Sequence, residues 1–400
     1  MLSRFKKGRL VLFALILMLV LVACGKKEES SLEDQAGSST QTDSEVVSSV
    51  SEEEESSESG ATGETKGSEE ILSDEKRIFK DSLGREVELP EKINKIAVSG
   101  PLAQIAIFAI APEKMVGIAS PWDDLAKKYL PEDFTGLPII GQLYGGKGEL
   151  NLEELLNSGA EVVIDVGEPK KNMAEDLDRL QEQTGIPFIH VTASLETSAE
   201  AYRILGDLFD KEKEGEERAV LLDRIYSRAK KLQEELEPAD LLFITGEEGL
   251  NVIAQGSFQG EVVDLLANNI AVVDDPSPKG TGNEVTMEQI ITWNPSLIII
   301  GPNSIYDRIG DDPNWQEIQA IQDGKYYEIP AGPHNWINSP PSVQRFLGIL
   351  WLSDLLYSDK LDYDTKAEVQ EYYRLFYHIE LTDDQYTELV ENSLLKEGQK

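Results

Sequence analysis

The chain has 400 residues, enough for two or three domains, and its 40% hydrophobic fraction is ordinary for a globular protein. Its formal charge of −37 at pH 7 opposes binding to nucleic acid or anionic headgroups, because both need attraction to phosphate, and suits a cationic partner. The single cysteine, Cys24, excludes a disulfide framework, a cysteine-based metal site and dithiol redox chemistry.

Residues 1–24 have the pattern of a secretory signal. Basic residues between Arg4 and Arg9 precede an apolar run from Leu10 to Val22, which is short for a membrane span. The run ends in Leu-Val-Ala-Cys24, which resembles a bacterial lipobox, and the alternative is a signal anchor with an incidental cysteine. We therefore expect lipidation at Cys24 and a lipid-anchored protein on the extracytoplasmic face of the cell membrane.

Residues 25–75 are rich in Ser, Glu, Gly and Thr and have few large apolar side chains. Such a segment cannot bury enough apolar surface to fold, so the sequence predicts a disordered tether between the membrane and the first domain. The folded part opens near Phe79 with two short extended runs around Ser82-Leu83-Gly84, a pattern typical of a hairpin.

Apolar runs and helical patterns then alternate, as in a parallel sheet with flanking helices. In the first half, strands are predicted at 95–99, 115–119, 137–140, 161–166 and 187–191, and helices at 102–110, 152–157 and 173–184. In the second half, strands are predicted at 241–245, 252–254, 271–273, 297–300 and 325–329, and helices at 262–267, 287–293 and 343–357.

A duplicated segment indicates that the two halves are two lobes. With one fixed offset, residues 150–164 align with residues 285–299, so that Glu153 falls on Glu288 and the turn at Gly159 falls on Asn294. Both copies have the pattern of a short helix, a turn and an apolar strand. The sequence therefore predicts two Rossmann-like α/β lobes with parallel sheets.

Residues 216–236 predict one long rigid helix between these lobes, because apolar residues recur at helical spacing and Pro238 follows. About 21 residues of helix span roughly 30 Å, the width of a small domain. The expected domains are an amino-terminal lobe at 76–215, this helix, a carboxyl-terminal lobe at 237–360 and a helical extension at 361–400, with no chemistry in the extension.

Candidate ligand-binding residues lie in loops expected at the carboxyl ends of strands, where open α/β sheets bind ligands. The loop 141–148 is glycine-rich, but Gly148 stands where a phosphate loop needs a hydroxyl, so we expect a cleft rim instead. The loop from Ala331 to Arg345 is stiffened by prolines. The residues chosen from these and neighbouring loops are Trp122, Tyr144, Gln255, His334, Asn335, Trp336 and Arg345.

The other two histidines suggest no chemistry. His190 is expected to be a satisfied residue at the end of a strand, and His378 to pack among aromatic side chains in the tail. The chain has no H-E-x-x-H or G-x-S-x-G motif.

From Phe79 to Tyr357 the chain resembles the class III solute-binding proteins of bacterial ABC importers, which capture ferric siderophores, haem and cobalamin. The matching stretches are 81–90, 151–155, 286–290, the long helix and 324–329. The resemblance implies a ligand cleft between two lobes joined by one stiff helix. It also implies a permease dimer with its ATPase as partner, docked through Glu153 and Glu288.

A cleft with aromatic walls and Arg345 as a fixed cation would suit an anionic metal chelate. A ferric siderophore is therefore the first expectation for the ligand, a corrinoid the second and haem the third, with His334 as the axial ligand. No cofactor or resident metal is expected. The rival interpretation is a lipid-anchored enzyme or adhesin on the same two-lobed frame.

Overall fold

The computed structural model describes residues 75–144 and 149–394. The predicted signal peptide, Cys24, the tether as far as residue 74 and the loop residues 145–148 lie outside the described residues. The described part is mixed α/β, as predicted, with parallel sheets and one long connecting helix.

The amino-terminal lobe contains a hairpin and a parallel sheet. Its strands are β1 (Lys76–Lys80), β2 (Glu86–Pro90), β3 (Ile96–Val98), β4 (Val162–Gly167) and β5 (Phe188–Thr192). Its helices are α1 (Pro101–Ile110), α2 (Asp124–Lys127), α3 (Leu152–Asn157), α4 (Met173–Thr184) and α5 (Ser198–Leu208). β1 and β2 are antiparallel, and β3-β4-β5 form the parallel sheet.

Two strands predicted in this lobe are reduced to single bridges. Residues 115–119 and 137–140 contribute only the pairs Ile96 with Met115 and Ile118 with Ile139. Pro138 has no N–H to donate, and a Cβ at Gly117 would overlap Ile140, so the two segments approach closely without a regular ladder. Helix α5 was not predicted.

The connecting helix is α6 (Glu212–Glu235), which begins four residues before the predicted start and ends one residue before the predicted end. Its buried face includes Leu221, Leu222 and Ile225, while acidic and basic residues occupy the opposite face. A Cβ on Gly215 would lie only 3.0 Å from the Cα of Gly206, so α5 and α6 pack too closely there for a side chain.

The carboxyl-terminal lobe is built on a six-stranded sheet. Its strands are β6 (Asp240–Thr245), β7 (Asn251–Val252), β8 (Asn268–Asn269), β9 (Asn283–Glu284), β10 (Leu297–Ile300) and β11 (Tyr326–Glu328). Its helices are α7 (Glu261–Leu266), α8 (Met287–Trp293), α9 (Tyr306–Ile309), α10 (Gln319–Gln322) and α11 (Arg345–Tyr357). β11, β10, β6 and β8 are parallel, and β7 and β9 form an antiparallel edge.

The strand predicted at 271–273 is wrong, since the residues that pair with β6 are Asn268 and Asn269. Asn269 is buried, and its side chain donates to the Ile253 carbonyl and to Asp264. Those bonds offset the burial of a polar side chain, so a strand forms here without an apolar run. The strand pairing itself joins Asn268 and Asn269 to Asp240 and Leu241 of β6, which lie far away in the sequence.

The duplicated segments have the same local structure in both lobes. Asn151 and Thr286 are the N-caps of α3 and α8, and each side chain accepts a backbone N–H three residues on. Gly159 and Asn294 both adopt positive φ, 67° and 44°. The duplication predicted from sequence is therefore present as a repeated helix, left-handed turn and strand.

The tail forms the helices α12 (Thr365–Tyr372) and α13 (Asp383–Leu389), with a π-helical turn at Tyr373–Tyr377. It contacts all three preceding parts. Phe376 packs on Tyr202 of α5, Glu368 accepts from Arg224 and Arg228 of α6, and the Asn392 carbonyl accepts from the backbone N–H of Glu328 in β11. The tail therefore braces both lobes instead of covering one surface.

Trp122 and His334 form a contact between the lobes, with ring centroids 5.8 Å apart. Burial lowers the pKa of His334 to about 4, although the carboxylate of Asp123 opposes this shift. The imidazole is therefore neutral at pH 7 and would have to be ionised inside an apolar contact on acidification.

Folding should consequently become less favourable as the pH falls from the unfolded-state pKa of His334 toward its folded-state pKa. The ordinary histidine pKa of the unfolded chain, about 6.5, exceeds the folded value, so the unfolded chain binds more protons between these two pKa values. Between pH 7 and pH 5, His334 should remove about 2 kcal/mol from the free energy of unfolding. The free energy of unfolding of His334→Gln should fall by about 2 kcal/mol less than that of the wild type between pH 7 and pH 5. Urea unfolding of both proteins at both pH values measures this difference. Equal losses of unfolding free energy in the variant and the wild type would contradict the lowered pKa of His334.

Candidate functional site

A pocket of about 210 Å³ lies between the lobes at the carboxyl ends of β3 and β4. One wall comes from the amino-terminal lobe, and Phe258, Gln259, Pro278 and Pro341 provide the other. This is the edge at which open parallel sheets bind ligands. We call it the cleft pocket.

A larger pocket of about 590 Å³ adjoins the cleft pocket on the side of α6. We call it the helix-side pocket. Tyr226, Lys230 and Gln233 of α6 line it, and Glu168 and Phe258 line both pockets. The two pockets therefore meet between the lobes at Glu168 and Phe258.

The combined lining has a negative charge. Among the described residues, five carboxylates and two lysines line the two pockets. The carboxylates are those of Asp165, Glu168, Glu196, Glu261 and Asp264, and the lysines are Lys170 and Lys230. Burial raises the pKa of both Glu261 and Asp264. A bound anion would approach these carboxylates in partly desolvated surroundings, where repulsion is stronger than in water.

Tyr144 lines the cleft pocket, where the sequence placed it. Its hydroxyl donates to Asp176 Oδ2 at 3.1 Å. Burial and this hydrogen bond raise the pKa of Tyr144, so the phenol is protonated at neutral pH. Its oxygen keeps a free lone pair for a ligand donor.

Arg345 is not a free cation in this cleft. Its guanidinium donates to Glu261 and, through Nε at 3.2 Å, to the Ser342 carbonyl, and it stacks 4.6 Å from the Phe258 ring centroid. The side chain is only 3% exposed. The expectation of a fixed positive charge for an anionic ligand fails here, because Glu261, 84 residues away in sequence, neutralises it.

Trp122, Trp336 and Asn335 do not line either pocket. Trp122 packs on Phe108 and donates to the Phe134 carbonyl. Trp336 is fully buried and donates to the Gly332 carbonyl. The Asn335 amide oxygen accepts from the backbone N–H groups of residues 337 and 338, which holds the loop's own turn. These side chains stabilise the loops from within.

His334 and Gln255 also lie off the two pockets. His334 faces Trp122, so the structure does not place it to ligate a haem in the cleft. Gln255 is exposed, and the pocket wall instead begins with its neighbours Gly256, Ser257 and Phe258. The same loop therefore contributes to the pocket through other residues than Gln255.

Asp165 is a pocket residue that sequence reasoning missed. It accepts from Ser99 Oγ and, at 2.7 Å, from His190 Nδ1, while His190 Nε2 lies 3.1 Å from Thr192 Oγ1. Since a carboxylate only accepts, His190 Nδ1 carries a proton and donates to Asp165, and Nε2 has Thr192 as its partner. His190 is fully satisfied, as predicted. Aligning β4 with β5 places Asp165 opposite His190, and this alignment could have identified Asp165 from the sequence.

Glu153 and Glu288 occupy the same position in the two lobes, the second residue of α3 and of α8. Both side chains are exposed. Hydrogen bonds from its own backbone N–H and from Thr286 lower the pKa of Glu288. An acid at this position is favoured by the helix dipole alone.

Among the described residues, no group of three or more His, Cys, Asp or Glu side chains is arranged to hold a metal ion. The helices of the described ranges include none with the length and apolar character needed to cross a membrane.

Comparison with solved structures gives close matches over nearly the whole described part. An ABC transporter solute-binding protein from Sulfurospirillum deleyianum is 27% identical, with a TM-score of 0.72 over 79% of this chain and 99% of that one. A periplasmic solute-binding protein from Veillonella parvula is 24% identical, with a TM-score of 0.67 over 80% and 98%. The molybdate periplasmic binding protein of Haemophilus influenzae is 22% identical, with a TM-score of 0.59 over 76% and 99%.

A search of the curated proteins found no match. The family model described as periplasmic binding protein matches residues 107–333, more than half of the chain. That range includes parts of both lobes and all of α6. The chain therefore belongs to the periplasmic binding protein family, in its class III form, and is a solute-binding protein of an ABC transporter.

Proposed function

We propose that the protein captures a metal chelate between its lobes, with a ferric siderophore as the first candidate, and delivers it to a permease dimer driven by an ATPase. The observation that supports this most is the pair of adjoining pockets, about 590 and 210 Å³, between the two lobes. Sites for small molecules commonly have volumes of roughly 300–1,000 Å³. A bulky chelate therefore has the size for this site, whereas a bare ion would leave most of it unfilled.

The charge of the pockets favours an uncharged or cationic chelate. Of the described lining residues, four carboxylates and two lysines remain once Glu261 is paired with Arg345. A ferric tris-hydroxamate is uncharged at its iron centre, whereas a ferric tris-catecholate has three negative charges. The anionic chelate expected from the sequence is therefore replaced by a hydroxamate-type one.

The ranking of the other ligands follows from the same geometry. A corrinoid remains the second candidate, since its bulk fits and it needs no anion-binding group. Haem is disfavoured, because His334 packs on Trp122 and lines neither pocket. The fold does not select the ligand, since one structural neighbour binds molybdate and another, from Helicobacter pylori, was solved as a nickel–histidine complex.

The enzyme alternative has weak support in the cleft. Ser99, Asp165 and His190 resemble a catalytic set, but the carboxylate lies between the other two groups. Ser99 therefore donates to Asp165, and in the described part of the chain no imidazole is hydrogen-bonded to its hydroxyl to take the proton. The position of the pockets between two lobes also argues against an adhesin, which needs an outward binding surface.

The ligand class can be tested by isothermal titration calorimetry with four probes: a ferric trihydroxamate, a ferric tris-catecholate, cobalamin and haemin. We expect the trihydroxamate to bind with a dissociation constant in the micromolar range or below, and the tris-catecholate at least about tenfold more weakly, because of repulsion by the carboxylates. Phe258→Ala should weaken trihydroxamate binding by about 1 kcal/mol through loss of aromatic contact. Val272→Ala, at an exposed apolar position off both pockets, is the matched control. Absence of binding by all four probes would contradict the metal-chelate proposal.

Docking is proposed to use Glu153 and Glu288, which would pair with cations at equivalent places on the two permease subunits. Replacing both by Lys should abolish uptake of the ligand by cells, because two attractive contacts become repulsive. Ligand affinity of the purified variant should be unchanged, since neither residue lines a pocket. The matched control is Glu154→Lys with Glu284→Lys, which has the same charge change at neighbouring positions. Uptake at the wild-type rate in the Glu153/Glu288 variant would leave these residues only a favourable interaction with the helix dipole.

The lipid anchor is likewise a proposal, based on the Leu-Val-Ala-Cys24 sequence. Cys24→Ser should move the protein from the membrane fraction to the soluble fraction, because the acyl chains that hold it in the bilayer would be lost. Its thermal unfolding should be unchanged, because the described fold begins at residue 75. A variant that stays in the membrane fraction after a salt wash would contradict lipidation at this residue.

A further inference from the structure

Asp165 and Gln259, from opposite lobes, both line the cleft pocket, and each has a side-chain oxygen that can accept a further hydrogen bond. We propose that they select a ligand with a protonated primary amine and that this ammonium group binds in the cleft pocket while the chelate occupies the space beside it. This inference rests on the proposed function and specifies the chemistry of its ligand.

The side chain of Gln259 is held by one hydrogen bond. Its Nε2 donates to the Pro278 carbonyl at 3.1 Å. Because that carbonyl can only accept, the amide nitrogen must face it, and the amide orientation is fixed by chemistry. The oxygen Oε1 then has no partner among the described residues, although the residue is 6% exposed. A buried unpaired acceptor is unfavourable unless a donor reaches it.

The Asp165 carboxylate is also held in place. Ser99 Oγ donates to Oδ1, and His190 Nδ1 donates to Oδ2 at 2.7 Å. A carboxylate has about four lone-pair sites, so two remain for further donors. The side chain is 12% exposed and lines the cleft pocket. The pocket therefore presents an oriented anion that still accepts hydrogen bonds.

The other groups that face this pocket add acceptors and negative charge. Tyr144 donates its proton to Asp176, so its oxygen is a further acceptor on the pocket wall. Asp165 and Glu168 oppose the single cation of the described lining, Lys170, whose Nζ lies 5.5 Å from the Phe258 ring centroid. An ammonium group has one positive charge and three donors. It matches three acceptors and a net negative wall better than an amide, a hydroxyl or a carboxylate does.

The test uses two forms of one probe, a linear ferric trihydroxamate with a free terminal ammonium and the same chelate with that amine acetylated. The iron centre and the size of the chelate are nearly the same, so the difference in affinity reports the amine. By calorimetry at pH 7, the wild type should bind the ammonium form at least about tenfold more tightly, the factor expected of a charged hydrogen bond.

Two variants locate the preference. Gln259→Leu and Asp165→Asn should each reduce the ratio of the two affinities several-fold. Asp165→Asn could unfold the lobe by disturbing Ser99 and His190, and Gln259→Leu then provides the test alone. Gln316→Leu is the matched control, because Gln316 is an exposed glutamine of the same lobe that also donates to a carbonyl.

Equal affinity of the wild type for the two forms would overturn this inference and leave the proposed function intact. A preference that survives in the Gln259 variant and in a folded Asp165 variant would overturn it as well, since the amine would then bind elsewhere. Binding of neither form would overturn the hydroxamate-type ligand of the proposed function and this inference together.

Discussion

One hydrophobic core runs through both lobes, α6 and the tail, and the rest of the structure depends on that continuity. Leu221 of α6, Phe243 of β6 and Phe376 of the tail all belong to the same buried cluster. Opening the lobes widely would expose part of this cluster to water, at about 25 cal/mol for each Å² of apolar surface. The pockets lie at the margin of this shared core, at the carboxyl ends of the strands, where a small displacement exposes little of it.

Ionic contacts reinforce this arrangement where α6 meets the tail. Arg224 and Arg228 of α6 both donate to Glu368 of the tail, and Arg224 also reaches Glu371. Charged pairs near the surface contribute little singly, but a shared carboxylate fixes the direction of two guanidinium groups. The cleft side is different, because carboxylates outnumber cations among the residues described there. Glu368 and Glu371 of the tail are thus paired with cations, whereas the ligand space keeps a net negative charge.

The sequence predicted the frame because its determinants are local. The pairs Asn151 with Thr286 and Gly159 with Asn294 are capping and left-handed turn residues, whose roles depend on a few neighbours along the chain. Helix α5 could have been predicted as well, since Ala201, Tyr202, Leu205 and Leu208 are buried at helical spacing. The missed strand at Asn268–Asn269 had no such local pattern, since its polar side chains are paired by tertiary contacts.

The side chains of the candidate site were harder to predict, because loop aromatics can face either a ligand or the core. Trp336 turns inward because the tail places Tyr373 beside it, some 37 residues later in the chain. Arg345 is neutralised by a partner in another helix. In contrast, Asp165 and His190 could have been joined by aligning two neighbouring parallel strands. For this cleft, the register of two neighbouring strands would therefore have predicted a lining residue better than the residue types in the loops did.

We expect the proposed docking acids and the ligand space to lie toward the same edge of the molecule. In a helix-turn-strand unit the helix runs opposite to the strand, so the start of α3 should lie on the side of the carboxyl end of β4, where Asp165 and Glu168 are found. The same relation is expected for α8 and β10 in the second lobe. A permease that contacts Glu153 and Glu288 would therefore stand over the mouth of the cleft, and a small change in lobe separation would act on both surfaces at once. Because the shared core restricts wide opening, release of the ligand should depend on such small displacements at this edge rather than on a large hinge motion.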